Sequence, residues 1–204
     1  IRHLNVSMCP RLSDVTGVFI AENLSQLKTL DASWCNFTNV TLFALAKMRA
    51  NSLQALNISN CNSMDWHGLQ DVSQKCVNLH FLHIVMYVIG LTAIINPSLQ
   101  LFPHVTHLTL DVGEAIGTVY RIPCLFRNAQ EICLVSHHVS YREIDFSAYT
   151  AQNMPCLRAI NFSSYPLPAP GVCPSLDALQ VQRPKLKITF DPLHNNFDVM
   201  KVPL

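Results

Sequence analysis

Cysteine and histidine are the side chains of this chain whose chemistry reaches furthest, and their spacing is the first thing to weigh. Cys9, Cys35 and Cys61 recur at one strict interval, while Cys76, Cys124, Cys133, Cys156 and Cys173 follow no fixed step. No C-x-x-C pair occurs, so the framework of a structural zinc site is missing. In a chain of 204 residues, thiols that follow a repeat are expected as separate structural thiols rather than a disulfide scaffold. His137 and His138 are adjacent, and neighbouring strand residues point to opposite faces, so the two do not share a ligand. His83, His107 and Asp111 could be drawn together as a metal site, but polar display on a sheet is the expected role. Phosphate-binding glycine loops, nucleophile elbows and H-E-x-x-H motifs are absent from the sequence. The expectation is a chain with no catalytic residues, no cofactor and no metal.

The cysteine interval belongs to a larger pattern. Leu27-Lys28-Thr29-Leu30-Asp31-Ala32-Ser33-Trp34-Cys35-Asn36 is followed, one such interval on, by Leu53-Gln54-Ala55-Leu56-Asn57-Ile58-Ser59-Asn60-Cys61-Asn62. A copy entered part-way opens the chain at Ile1, so further residues are expected before it. Leu4, Leu30, Leu56, Leu82 and Leu108 share the step. In L-x-x-L-x-L-x-x-C the leucines alternate inward on a short strand and the x residues alternate outward. One such strand buries little, but strands stacked about 4.8 Å apart form a parallel sheet with a continuous apolar face. A step within the roughly 20–29 residues of leucine-rich repeats predicts that each coil returns as a helix.

Turn and cap residues place those helices. Pro10 to Asp14 precede a helix over Val15–Leu24, with Val18, Ala21 and Leu24 on one side. Phe37-Thr38-Asn39 precede Val40–Met48, and Met64-Asp65 precede Trp66–Cys76, with Leu69, Val72 and Cys76 inward. Residues 76–110 carry no Asp, Glu, Lys or Arg. The apolar run from Phe81 to Ile95 is shorter than the roughly 20 residues of a membrane span, and Asn96-Pro97 ends it. It is expected as a strand, a loop and a buried helix. Later copies begin at Ile132 and Leu157, with an irregular segment over Ile116–Arg127 and a helix expected over Tyr141–Gln152. Pro166 to Gly171 excludes a helix there and predicts an extended connection leading into Leu176–Val181. Leu186–Phe190 closes the pattern as a strand whose Lys185 and Lys187 suit an exposed edge.

The stretches Cys9-Pro10-Arg11-Leu12-Ser13-Asp14-Val15-Thr16-Gly17, Cys61-Asn62-Ser63-Met64-Asp65-Trp66-His67-Gly68-Leu69 and Val72-Ser73-Gln74-Lys75-Cys76-Val77-Asn78-Leu79 resemble the cysteine-containing leucine-rich repeat. That subtype is typical of F-box/LRR proteins, the substrate receptors of SCF ubiquitin ligases. The match covers residues 1 to about 87, and beyond Leu82 the cysteine position becomes Tyr87 and then Gly113. The resemblance implies an α/β fold: a leucine-rich repeat solenoid, or horseshoe, with a parallel concave sheet and with helices and irregular segments on the convex side. One repeat domain of seven to eight units is expected over residues 1–190, regular over 1–87 and degenerate over 88–190, with 191–204 as a tail or cap. It further implies a cytoplasmic or nuclear protein-interaction region whose Skp1-type adaptor is met only through an F-box outside this chain. Alternatives are a structural repeat scaffold without a ligase role and a secreted recognition repeat.

The concave face is where a protein target is expected. Its outward residues are Thr29, Asp31, Ser33, Asn57, Ser59, Phe81, His83, His107, Thr109 and Asp111, with Tyr87 beyond and Trp34 at the rim. Aromatic anchors ringed by polar groups suit a protein interface. Only 13% of residues are charged and the formal net charge is +1, which leaves no clustered cationic field for nucleic acid or an anionic membrane. Six N-x-[ST] triplets begin at Asn5, Asn23, Asn36, Asn39, Asn57 and Asn161. A repeat that favours small polar residues generates such triplets by itself, and glycans at Asn5, Asn57 and Asn161 would block the sheet face.

Overall fold

A computed structural model describes residues 1–61, 63–85, 102–112, 116–136, 144–164 and 173–192. The chain divides into two compact units, Ile1–Ile95 and Asn96–Leu204. Among the described residues are eight strands and five α-helices, an α/β fold in which the strands of each unit pair in parallel and in chain order.

In the first unit, β1 (His3–Asn5), β2 (Thr29–Asp31), β3 (Ala55–Asn57) and β4 (Phe81–Val85) pair in a register that aligns Leu4, Leu30, Leu56 and Leu82. Leu30, Leu56 and Leu82 are buried, as their spacing predicts, and Leu4 on the outermost strand is half-buried. Between the strands run α1 (Asp14–Asn23), α2 (Asn39–Met48) and α3 (Trp66–Lys75), each within a residue of its expected bounds. They add Ile20, Ala21, Leu42, Leu45, Leu69 and Val72 to the core. On α1 the buried side is Gly17, Ile20 and Ala21, whereas Val18 and Leu24 are half-buried.

The coils are stapled to one another as well as capped individually, by Thr38 on α2 and Asp65 on α3. Ser13 occupies the N-cap of α1 but its side chain makes no cap bond. Asp14 instead turns to the next coil and accepts from Thr38 N (2.8 Å), Thr38 Oγ1 (2.6 Å) and Thr41 Oγ1 (2.6 Å), capping α2. Burial alone would raise the Asp14 carboxyl, but these side-chain and backbone bonds from Thr38 and Thr41 prevail and hold it below its ordinary value. One coil on, Asn39 donates to Asp65 Oδ1 (2.6 Å) and accepts from Asp65 N (2.9 Å). At the other helix end, Arg49 donates to Leu24 O of the preceding coil. Helix contact is close: a Cβ on Gly17 would run into the Thr41 side chain, and one on Gly68 would meet Asn39 and Leu42.

The repeated cysteine serves the same stacking. Cys35 Sγ donates to Val6 O (3.1 Å) and Cys61 Sγ to Ala32 O (3.2 Å), each reaching back one coil. All eight cysteines are unpaired thiols. Immediately before each repeated cysteine the backbone turns left-handed, with φ of 59° at Met8, 60° at Trp34 and 59° at Asn60. This conformation extends the ladder past the strands, through Met8 N to Ser33 O and Trp34 N to Ser59 O.

The second unit keeps the pattern with less regularity. β5 (His107–Asp111), β6 (Glu131–Ser136), β7 (Ala159–Ser164) and β8 (Lys187–Pro192) align Leu108, Ile132, Ile160 and Ile188. The segment between β5 and β6 is a 3-10 helix (Ile116–Arg121) followed by the single turn α4 (Ile122–Leu125), which accords with the irregular segment expected there. Leu176–Val181 lies inside α5 (Pro174–Gln182), opened by a proline at N1 where its missing N–H is no loss.

The helix expected over Tyr141–Gln152 does not form in its described part, 144–152, which is a series of turns. Short polar side chains there take the backbone's bonds: Asp145 accepts from Ser147 N, and Asn153 donates to Ala148 O. Arg183 gathers the carbonyls of this stretch, donating to Tyr149 O, Thr150 O, Met154 O and Leu157 O. Phe146 packs edge-on against Tyr149 and Phe162, and Phe162 stacks on Phe190 at 4.9 Å. Gly113, the His137-His138 pair, the buried helix expected before Ile95, the Pro166–Gly171 connection and the tail from 193 onward lie outside the described residues. Among the described residues no helix is long and apolar enough to cross a membrane.

Candidate functional site

Alternation along each strand puts the leucines on one side of the sheet and leaves three rows, mostly polar, on the other. In the first unit the register assembles His3, Thr29, Ala55 and Phe81 as one row, and Asn5, Asp31, Asn57 and His83 as the next. Ser7, Ser33 and Ser59 follow two residues beyond in each coil. Exposure falls from β1 to β3 along these rows. His3 and Asn5 are exposed, Thr29 and Asp31 half-buried, and Ala55 and Asn57 buried. Of the residues expected on display, Ser33, Asn57, Ser59 and His83 are therefore buried instead, at 1–9% exposure.

The local chemistry explains much of that correction. Asn57 Oδ1 accepts from Ser59 N (3.0 Å) and Ser59 Oγ (2.8 Å), closing a turn at the strand end. Asp31 Oδ1 does the same with Ser33 N (3.0 Å) and Ser33 Oγ (2.7 Å), and Asn5 Oδ1 with Ser7 N (2.8 Å). The side-chain oxygen two residues before the serine is thus part of the fold in each of these three coils. Thr29 Oγ1 lies 2.9 Å from His3 Nδ1. Of the predicted group in this unit, Asp31, Thr29, Phe81 and Trp34 remain within reach of solvent. Trp34 is the most open, at 47%. Tyr87 lies outside the described residues.

His83 stands apart in its electrostatics. It is buried, and its Nδ1 has no hydrogen-bond partner. Burial pushes its pKa down to about 4 against a weaker opposing pull from the Asp31 carboxylate, so the ring is neutral at pH 7. Burial likewise pushes the thiols of Cys61, Cys76 and Cys133 up to about 11, the last with Asp191 adding to the effect. Thiols held protonated in this way are poor nucleophiles. Among the described residues no group of three His, Cys, Asp or Glu side chains is placed to hold a metal ion.

In the second unit His107, Thr109 and Asp111 are half-buried on β5, as alternating residues of one strand face. His107 Nδ1 lies 2.9 Å from Thr106 Oγ1. The register brings to that face residues that were not among the expected binding residues: Glu131 and Lys187 in the His107 row, and Cys133, Asn161 and Thr189 in the Thr109 row. Thr189 Oγ1 donates to Asn161 Oδ1 at 2.5 Å. Counting forward from His107 by the step of each aligned apolar residue locates all of them.

No family model matches the chain, and no curated protein matches it significantly.

Proposed function

We propose that the chain is a non-catalytic protein-interaction domain, a leucine-rich repeat solenoid of horseshoe type that holds a protein target on its concave sheet face. We further propose that it is the substrate-recognition region of an F-box-type receptor of an SCF ubiquitin ligase, with a Skp1-type adaptor bound by an F-box elsewhere in the full protein. Support comes from one observation above all. Four strands repeat at one constant step, with their leucines aligned on one side of a parallel sheet and rows of mostly polar residues on the other. A stacked repeat of this kind offers an extended surface and a core, and its buried protonated thiols are unsuited to nucleophilic work.

The test is reconstitution of the full-length protein with a recombinant Skp1-type adaptor and a cullin. Stoichiometric co-elution on gel filtration, with transfer of ubiquitin to a bound protein, is the expected result. A chain that binds a protein target through the sheet face but never takes up the adaptor is a repeat scaffold without a ligase role, and the receptor assignment then fails.

A further inference from the structure

Most charges of the second unit are sorted by edge. Among its described residues the acids Asp111 and Asp191 lie at or next to the ends of β5 and β8, and Asp177 lies in the first turn of α5. Asp145 joins them, since its neighbours Ile144 and Phe146 bond Ser175 at the start of the same helix. Cations gather at the other edge, where helices end and strands begin. Arg127 follows α4, Arg158 immediately precedes β7, and Lys185 and Lys187 lead into β8. The described acid at that edge is Glu131, the first residue of β6.

Hydrogen bonds hold these cations on adjoining stretches of chain. Lys187 N donates to Arg158 O (2.9 Å) and Arg158 N to Gln130 O (2.7 Å). Arg183 Nη2 donates to Leu157 O (2.6 Å), at the peptide that joins Leu157 to Arg158, and Pro184-Lys185-Leu186 run from Arg183 to Lys187. One coil back, Arg127 Nη2 donates to Gln152 O (3.3 Å) in the stretch leading to Arg158. With strands about 4.8 Å apart, the three coils span roughly 10 Å. Arg127, Arg158, Lys185 and Lys187 are all exposed. The ion pairs among the described residues, Asp65 with His67 and Asp71 with Lys75, both lie in the first unit. Like charges on adjoining strands repel, so the fold gains nothing by crowding them. Lysines alone would be accounted for as guards of an open sheet edge, but Arg158 precedes a strand that is paired on both sides.

We infer that this strand-entry edge of the second unit binds an acidic segment of a protein partner, its Asp or Glu carboxylates set against Arg127, Arg158, Lys185 and Lys187. Guanidinium and ammonium groups donate charge-assisted hydrogen bonds to carboxylates, arginine in bidentate form. Alternate side chains of an extended segment recur about every 7 Å, so two or three carboxylates cover the cluster. Nucleic acid fits less well, because its binding rests on roughly 6–10 phosphate contacts, more than these four exposed cations supply. Lys187 also belongs to the His107 row, so the edge is continuous with the sheet face. The inference rests on the protein-interaction role proposed above in taking the partner to be a protein.

A fluorescein-labelled decapeptide of alternating Glu and Ser, with a Gln-for-Glu counterpart, tests it by fluorescence anisotropy on the full chain at low salt. The Glu peptide should bind wild type at least tenfold more tightly than the Gln peptide. Arg158→Gln combined with Lys187→Gln should weaken it at least fivefold. Arg11→Gln combined with Lys47→Gln removes as many exposed positive charges from the first unit and should change binding less than twofold. No binding of the Glu peptide, or equal losses in the two double variants, overturns the inference. So does a single-stranded RNA decamer that wild type binds more tightly than the Glu peptide and that Arg158→Gln with Lys187→Gln releases. The urea midpoint of that variant should equal or exceed the wild-type value, since repulsion is relieved; a lower midpoint, or failure to fold, makes the cations structural and overturns the inference. A chain that holds a target on its sheet face yet ignores the Glu peptide loses this inference alone. One that binds the peptide through the cluster but never takes up the adaptor loses the receptor assignment alone.

Discussion

Acid should loosen the first unit through one side chain, His83. Its imidazole is buried on β4 with Nδ1 unpartnered, and burial lowers its pKa from 6.5 to about 4. Between those two values the unfolded chain binds a proton that the folded chain refuses, so stability falls as pH falls through this window. Each pH unit within it removes about 1.4 kcal/mol. Going from neutrality to about pH 5 crosses roughly one and a half units below 6.5, a loss of about 2 kcal/mol. Urea denaturation at closely spaced pH values, followed by circular dichroism, measures this directly. His83→Leu supplies the control: it removes both the proton site and the orphaned nitrogen, so it should be neutral or stabilising at pH 7. Its stability should hardly change down to about pH 5. Wild type and His83→Leu curves that run parallel over this range would refute the assignment of the acid slope to this residue.

Two further outcomes are expected. Arg183→Ala strips donors from the four carbonyls of Tyr149, Thr150, Met154 and Leu157 and should destabilise the second unit by about 2–4 kcal/mol. Arg127→Ala, which loses one exposed bond to Gln152 O, should stay within about 0.5 kcal/mol in the same urea titration. Gly17→Ala improves helix propensity by about 1 kcal/mol, yet its Cβ would strike the Thr41 side chain, so a net loss of about 1–3 kcal/mol in thermal unfolding is expected.

What could be read from the sequence follows from what repeats. The constant step alone aligns Leu4, Leu30, Leu56 and Leu82, and the strand alternation puts the same rows of side chains on one face. Helix ends were legible within a residue because Thr38 and Asp65 are effective caps. Accessibility was not. Periodicity says which side of a sheet a residue takes but not how exposed it is there, and so Ser33, Asn57, Ser59 and His83, expected on display, are buried. The turns at 144–152 were missed for a different reason. The repeat leads to a helix there, while Asp145, Ser147 and Asn153 recruit the backbone into local bonds. Arg183, far along the chain, completes that arrangement, and no local pattern announces so distant a donor.

The reach of Asp14 across to α2 has a consequence for how such a chain can change length. Because the acid that finishes the start of α2 belongs to the preceding coil, the first coil cannot be cut out at its own borders without orphaning donors next door. Excising or duplicating one full period keeps the strand register, whereas gaining a lone residue in a strand throws every later match out of phase. Growth by whole copies is therefore the tolerated path, and small indels belong in the less regular second unit.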